Sequence, residues 1–333
     1  MSMSQNFDLA QALSVAQKIK NRVEYDVMGR SEVIELSLIA LLSGGHILLE
    51  DYPGSGKTTL AKALGLSIEE QLSESAQNVQ MSSFRRIQFT PDMLPSDITG
   101  VMVFDSQKSE FYFRQGPIFA HILLVDEINR TSPKVQSAML EAMAEKQVTV
   151  DNQTYPLKDL FFVIATQNPL DSVGTYPLPT AQLDRFLFKI RMEHISQNAE
   201  LDVLESWGKP RLACDLPRVV LSDVKSAMQA IQTQVNVHKA IQECLVEIAQ
   251  KIRTDKRCAQ GISTRSLVQA IPALQARAML KGRNFVSSDD ITALAKHLFL
   301  HRISLIPGVR DGEAVIKDAL VEPIEKLSKR SLN

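Results

Sequence analysis

Cysteine is scarce in this chain of 333 residues: Cys214, Cys244 and Cys258 lie far apart, with no C-x-x-C pair and an odd count. That pattern argues for free thiols in a reducing compartment, so the cytoplasm is the expected location. Long apolar runs are missing too. The longest, "IELSLIALLSGGHILLE", is broken by Glu35, Ser37, Ser43 and two glycines. No segment therefore reaches the roughly 20 apolar residues that a membrane-spanning helix needs. The start "MSMSQNFDLA" lacks the basic and apolar regions of a signal peptide, so no membrane insertion is expected. Nor is there an excess of charge of one sign. Lys plus Arg number 37 against 38 Asp plus Glu, and a net charge of −1 supplies no global field for nucleic acid or anionic membrane. What is present is an ordinary globular composition, 44% hydrophobic and 23% charged, which disfavours disorder and coiled coil. The length suits two domains better than one.

Along the chain, "FDLAQALSVAQKIKNRV" has helical spacing, and "SEVIELSLIALLSGG" reads as a largely apolar helix closed by glycines. Five short apolar runs follow: "HILLE", "RIQF", "HILLVDE", "LFFVIATQN" and "RFLFKI". Such runs, bounded by turns, predict buried strands of a mainly parallel sheet with helices between them, an α/β core. Two segments read as hairpins set on that core, "GVMVFDSQKSEFYFRQGP" and "KQVTVDNQTYPL", the second turning on "DN". After about residue 195 the text becomes helical in period, with "DLPRVV" as a short extended break. The expected division is an α/β core over 1–194 and a smaller, mostly helical domain over 195–333.

The chemistry begins at "EDYPGSGKTT". A buried strand runs into Pro53, Gly54, Ser55, Gly56, Lys57, Thr58 and Thr59, then a helix, which is the context of a phosphate-binding loop. Backbone N–H groups and the positive end of the helix cradle phosphate oxygens, and glycines let the backbone approach without a Cβ. Lys57 is placed to reach the β- and γ-phosphates, and the Thr58 hydroxyl to sit on Mg²⁺. Asp51 stands where the motif has its first glycine. Its carboxylate is expected to point away from the phosphates, so that Asp51→Gly alters affinity little.

Two further strand ends complete the set. "HILLVDEINR" ends in Asp126 and Glu127, and carboxylates at the C-terminal end of a strand in an open α/β sheet lie where ligands bind. Asp126 would hold the Mg²⁺ shell, and Glu127 would orient and polarise the attacking water. "LFFVIATQNP" ends in Thr166, Gln167 and Asn168. An amide there can hydrogen-bond that water or the γ-phosphate, although Asn before Pro169 is also plain turn chemistry.

The segments "QFTPDMLPSDITGVMVF", "FRQGPIFAHILLVDEINRTSPKVQSAMLEAMAEKQVTV" and "FFVIATQNPLDSVGTYPLPTAQLDRF" closely resemble the MoxR family of AAA+ ATPases. The similarity runs from Val27 to about Ile190, with a weaker match in the last third. It implies an AAA+ core with a five-stranded sheet and hairpin insertions, a helical lid, ATP and Mg²⁺ as cofactors, and a homo-oligomeric ring, expected to be a hexamer. By the same resemblance Asn168 takes the sensor-1 position. Arg185 in "QLDRF" matches the arginine finger that serves a neighbouring subunit, worth roughly 10³ to 10⁵ in rate in well-studied cases. Without the resemblance, a surface salt bridge with Asp184 is the simpler reading of Arg185. Arg265 in "GISTRSLVQAI" matches the sensor-2 arginine, in cis or in trans. The adenine is expected near Val27, Met28, Gly29 and Arg30, and Arg130 could reach across an interface. The chain departs from the family after its last core strand, where "RMEHISQNAELDVL" lacks a Gly-Tyr-Pro.

The implied function is ATP-driven remodelling or maturation of a client protein. Family members act as chaperone-like factors, in some cases for metal insertion with a partner carrying a von Willebrand factor A domain, and the two hairpins are candidates for coupling to the client. Two rivals are a nucleic-acid motor, disfavoured by the charge balance and by a first hairpin with only Lys108 near its tip, and a nucleotide-gated scaffold with little hydrolysis. His297 and His301 stand four apart but lack the glutamate of H-E-x-x-H and a third ligand, so they read as ordinary helix-face residues. Lys329 and Arg330 read as a solvated tail.

Overall fold

The structure, a computed structural model, describes residues 7–50, 54–69, 81–157, 160–168, 174–206 and 216–330. Asp51, Tyr52, Pro53 and Cys214 lie outside the described residues, and so does the expectation for the Asp51 side chain. Helices α1 (Leu9–Asp26) and α2 (Ser31–Leu42) lead into strand β1 (Ile47–Glu50), helix α3 (Lys57–Leu66), the short β2 (Ile68–Glu69) and β3 (Ser82–Gln88). Next come α4 (Pro95–Thr99), the hairpin β4 (Gly100–Asp105) and β5 (Glu110–Gln115), strand β6 (Ala120–Asp126) and α5 (Pro133–Glu145). A second hairpin, β7 (Gln147–Val150) and β8 (Gln153–Pro156), precedes β9 (Phe162–Gln167), α6 (Thr180–Leu183) and β10 (Phe188–Arg191). The remainder is α7 (Gln197–Ser206), β11 (Val219–Val220), α8 (Leu221–Gln234), α9 (Lys239–Thr254), β12 (Cys258–Gln260), α10 (Thr264–Leu280), α11 (Ser288–Phe299), β13 (Ser304–Leu305) and α12 (Gly312–Arg330).

Five strands form one sheet in the order β10-β1-β9-β6-β3, every pairing parallel. These are the five apolar runs predicted from the sequence. Their side chains alternate between two clusters: Ile47, Leu49, Ile122, Leu124, Phe162 and Ile164 face one layer, while Leu48, Leu123, Val125, Val163 and Ala165 face the other. Both faces are covered over the central strands β1, β6 and β9, which are therefore apolar almost throughout, whereas the edge strand β3 carries Arg85, Arg86 and Gln88 with only Ile87 buried. The second hairpin turns on Asp151 and Asn152, both with positive φ (+47° and +64°), the paired left-handed conformation of a two-residue hairpin loop.

The helical part after β10 is built on the same apolar layer as α1 and α2. In α9 the buried residues Ile241, Cys244, Leu245, Ile248, Ala249 and Ile252 recur at helical spacing and join that layer. The predicted extended break is β11, which pairs with β2 in parallel and carries the Val219 N–H to the Ser67 carbonyl at 2.8 Å. The terminal basic residues are not a loose tail: α12 continues through Lys329 to Arg330. Cys244 is buried and Cys258 half-buried, both free thiols, and burial, with Glu247 adding to it, raises the Cys244 thiol to about 11, which makes it unreactive.

Two buried polar devices fix these layers. His46 sits at the entry to β1, its Nδ1 accepting from the Val163 N–H at 3.1 Å and its Nε2 donating to the Met143 carbonyl at 3.2 Å. Burial pushes its pKa down to about 4, and burial likewise pushes His301 to about 3. Between pH 6.5 and 4 the unfolded chain therefore binds more protons than the folded one, so stability falls as the pH falls through that window. Thermal melts at pH 7, 6 and 5 should show a steady decline, amounting to about 3 kcal/mol for His46 alone once protonation is complete. Asp290, fully buried, is gripped by Arg283 (Nη1 to Oδ2 2.8 Å, Nη2 to Oδ1 2.7 Å), by Arg277 and by the Ser287 N–H. Burial works to raise its pKa, but these donors hold it below the usual range. Asp290→Asn should cost about 3 to 5 kcal/mol, because it leaves the half-buried guanidinium groups of Arg277 and Arg283 without their buried counter-charge; a urea midpoint unchanged from wild type would refute this.

Candidate functional site

The order of the sheet decides what meets at the site. β9 lies between β1 and β6, so the C-terminal ends of all three open side by side, at the point where the strand order reverses. The loop after β1 carries Gly54 (φ +88°) and Gly56 (φ +93°), conformations that favour glycine. A Cβ built at either meets nothing within 4 Å, so the two open onto free space. Gly56 is the residue before α3, and Lys57, half-buried, begins that helix with the exposed Thr58 and Thr59 behind it. The first N–H groups of α3 thus face the loop without intrahelical acceptors. The Ser55 hydroxyl oxygen is buried and finds no hydrogen-bond partner among the described residues. A polyphosphate fits such a place, since its oxygens satisfy donors that the fold leaves over.

Asp126 closes β6 at 5% exposure, and Glu127 follows with a left-handed backbone (φ +56°, ψ +51°). Other left-handed non-glycine residues, Lys146 at a helix end and Asp151 and Asn152 at a hairpin tip, have a local reason for that conformation; Glu127 leaves a central strand in it. The turn aims consecutive carboxylates in different directions, at a backbone cost of roughly 1 to 3 kcal/mol. One hydroxyl secures both residues. Thr166, fully buried in β9, accepts from the Glu127 N–H at 2.9 Å and donates to Asp126 Oδ1 at 3.1 Å. Gln136 pins the turn beyond by donating to the carbonyls of Ile128 (3.1 Å) and Tyr176 (2.9 Å).

Both carboxylates also hold partners that sequence reasoning missed. Arg86 Nε donates to Asp126 Oδ2 at 2.6 Å, and Gln88 Nε2 donates to Glu127 Oε2 at 2.6 Å. They belong to β3, where Gln88 stands in register with Asp126. The one available signal was that Gln88 stands near the end of its run, as Asp126 does of its own. Arg130 turns back to Glu127, with Nε 3.1 Å from Oε2. Gln167 donates to Glu50 Oε1 at 2.6 Å, and Asn168 lies half-buried just past β9.

A cleft of about 600 Å³ opens beside the loop, lined by Val27, Met28, Gly54, Ser55, Gly56 and Thr59, with Met192, Ile195, Val203 and Leu204 as its apolar wall. Its size suits a nucleotide base and sugar. Arg30 Nη2 donates to the Ser55 carbonyl at 3.2 Å and Nη1 to that of Glu193, tying the two sides together. Gly29 is displaced from this lining. Its φ is +68° and a Cβ there would come within 2.6 Å of the Ala199 Cβ, so it lets α7 pack close.

Arg185 and Arg265 do not line the cleft. The Arg185 guanidinium donates to the Leu140 carbonyl on α5. The salt bridge with Asp184 considered from sequence is not the one formed, because Asp184 pairs with Arg302 instead, Nε to Oδ1 at 3.3 Å. Arg265 is exposed in the first turn of α10, beside Ser263 and Ser266, which bond that same Asp184. Among the described residues no group of three or more His, Cys, Asp or Glu side chains could hold a metal ion, and His297 and His301 gather no third ligand.

An open parallel sheet with a glycine loop after one strand, an acidic pair after another and a helical lid beside the cleft defines a P-loop protein of the AAA type. A family profile for the ATPase family associated with various cellular activities matches residues 46–188, and one for the AAA lid domain matches 250–324. The YeaC protein of Bacillus subtilis is 44% identical over 335 residues, covering 98% of this chain and 100% of that protein. Chaperone MoxR1 of Mycobacterium tuberculosis is 34% identical, covering 89% of this chain and 78% of that one. The solved structure of a candidate ATPase from Cytophaga hutchinsonii superposes with a TM-score of 0.81 at 33% identity, covering 93% and 96% of the two chains. The chain belongs to the MoxR family of AAA+ ATPases.

The shared Thr166 hydroxyl supplies a stability test. Thr166→Val keeps the shape and strands a buried N–H and a carboxylate oxygen, at a cost of about 1 to 3 kcal/mol. A melting temperature lowered by a few degrees is expected, with Thr166→Ser nearer to wild type; equal values for Val and wild type would show that the hydroxyl holds nothing.

Proposed function

We propose that the protein is a Mg²⁺-dependent ATPase that works as a homo-oligomeric ring, a hexamer, in the cytoplasm and uses hydrolysis to remodel or mature a client protein. The observation that carries this reading is the meeting of Asp126 and Glu127, locked by Thr166, with the open glycine loop one strand away. Lys57 and the N–H groups of residues 54–59 bind the phosphates, and Val27 and Met28 take the adenine. Thr58 and Asp126 would hold Mg²⁺, which would supply charge neutralisation at the phosphate oxygens, and Asp126 would exchange Arg86 for that role. Glu127 and Asn168 orient the attacking water, and Glu127 leaves Gln88 to do so.

Arg185, whose guanidinium rests on the Leu140 carbonyl of α5, serves the neighbouring subunit's site, and Arg265, exposed in the first turn of α10, contacts nucleotide in its own subunit or the next. For the client, the first hairpin offers exposed aromatic residues, Phe104, Phe111 and Tyr112, with Phe104 and Phe111 in ring contact at 5.1 Å. The name of the mycobacterial relative supports a chaperone role. A von Willebrand factor A domain protein is the partner class that the family suggests. No helix among the described residues is long and apolar enough to cross a membrane.

Steady-state phosphate release tests the assignment. Lys57→Ala and Glu127→Gln should each lower turnover at least about 100-fold, while Glu127→Gln still binds ATP and retains the client in an ATP-dependent pull-down. Wild-type turnover in either variant would refute these roles.

A further inference from the structure

The residues on both sides of Arg185 are anchored from the lid. Asp184 precedes it: Oδ1 accepts from the Ser266 hydroxyl at 2.9 Å and lies 3.3 Å from Arg302 Nε, and Oδ2 accepts from the Ser263 hydroxyl at 3.2 Å. Phe186 follows it, and its carbonyl accepts from Arg302 Nη2 at 2.8 Å and from His301 Nε2 at 3.0 Å. Arg302 also donates to Gln269 Oε1 at 2.6 Å on α10. Arg185 itself reaches the other way, to the Leu140 carbonyl of α5. Its backbone is therefore held by lid residues and its tip by the core.

Arg302 is only 2% exposed, and burial pulls its pKa down to about 10 against the opposing pull of Asp184. A guanidinium so buried is tolerated only while its carboxylate and carbonyl acceptors stay in place. If the short turn Leu300–Arg302 shifts with the lid, separating Arg302 from Asp184 is costly and moving the two together is cheap. The segment Asp184–Phe186 then travels with the lid, and Arg185 travels with it.

We propose that Arg302 is a positioning residue that makes the aim of Arg185 follow the lid of its own subunit, so that the lid of one subunit tunes hydrolysis in the next. The proposal rests on Arg185 acting across the subunit interface, as in the reading above. It adds a direction of communication: a change in one subunit's lid passes through Asp184 to the site next door, without passing through its own phosphate loop.

Mixed oligomers test it. Lys57→Ala subunits carry Arg185 but no working loop, and Arg185→Ala subunits carry the loop but no finger. Each alone should be inactive, and a mixture should regain turnover. Adding Arg302→Gln to the Lys57→Ala subunits should cut the regained turnover at least about tenfold, since a misplacement of order 1 Å costs up to about 100-fold. Adding it to the Arg185→Ala subunits should leave turnover within about twofold, and the affinity of a fluorescent ADP analogue should not change in either case. Asp184→Asn, at a partly exposed position, should reproduce the asymmetry and decides the matter if Arg302→Gln does not fold; Arg302→Lys should fall between. Equal losses in both placements, or a loss confined to the Arg185→Ala subunits, would overturn the proposal and make Arg302 a structural or own-site residue. A mixture of the two parent variants that never regains turnover would remove the trans premise instead, a failure visible before Arg302 is touched.

Discussion

The whole site hangs on the insertion of β9 between β1 and β6. Parallel pairing in that order brings a glycine loop, a polar strand end and an acidic strand end to one edge of the sheet, although they are spread along the chain from Gly54 to Asn168. Thr166 makes the order chemically specific, because a hydroxyl on β9 has a neighbour on β6 whose N–H and carboxylate it serves at once. A central strand is the stiffest place for such a group, with both faces packed and both edges paired.

Much of this was legible in the residues. Runs of apolar side chains bounded by turns gave the central strands, because a strand buried on both faces has no polar alternation to hide it; the edge strand β3 showed only its end, around Ile87 and Phe89. The "DN" pair gave the second hairpin through its backbone preference. The strand-end motifs gave Lys57, Asp126 and Glu127, since position relative to a strand is readable locally. Partners supplied from far along the chain were not. Arg86 and Gln88 reach the carboxylates only because β3 pairs with β6 in one register, which nothing in "RIQF" dictates. Adjacency in the chain pairs Asp184 with Arg185, yet its cation is Arg302, brought back by the packing of the lid. The basic end of the chain reads as a tail when its charge is taken without the helical period of α12, which carries Leu327 into the core and leaves Lys329 exposed on a helix. Pro272 and Pro323 lie within helices, where local propensity argues for breaks and packing overrides it.

The site is organised as two layers of control. Near the phosphates, Glu127 is held by Gln88 and Arg130, and Asp126 by Arg86, so both carboxylates rest on internal partners. Farther out, Asp184 and the Phe186 carbonyl tie the other edge of the core to the lid. On the proposed function, the first layer concerns what a subunit does with its own nucleotide, the second what it does to the next subunit.

The apolar layer shared by α1, α2, α8, α9, α10 and one face of the sheet bears on how such a machine can move. A lid joined to its core by a bare linker swings on a hinge, and little resists it. Here the lid rides on the same dense packing that supports the strands, so large rotations would open voids that are expensive to leave unfilled. The motion open to it is shear: small slides of packed helices, a few tenths of a side chain at a time. Work transmitted in this way has short travel and high stiffness, which suits the proposed role of a part that levers on a neighbouring subunit rather than one that closes over a ligand.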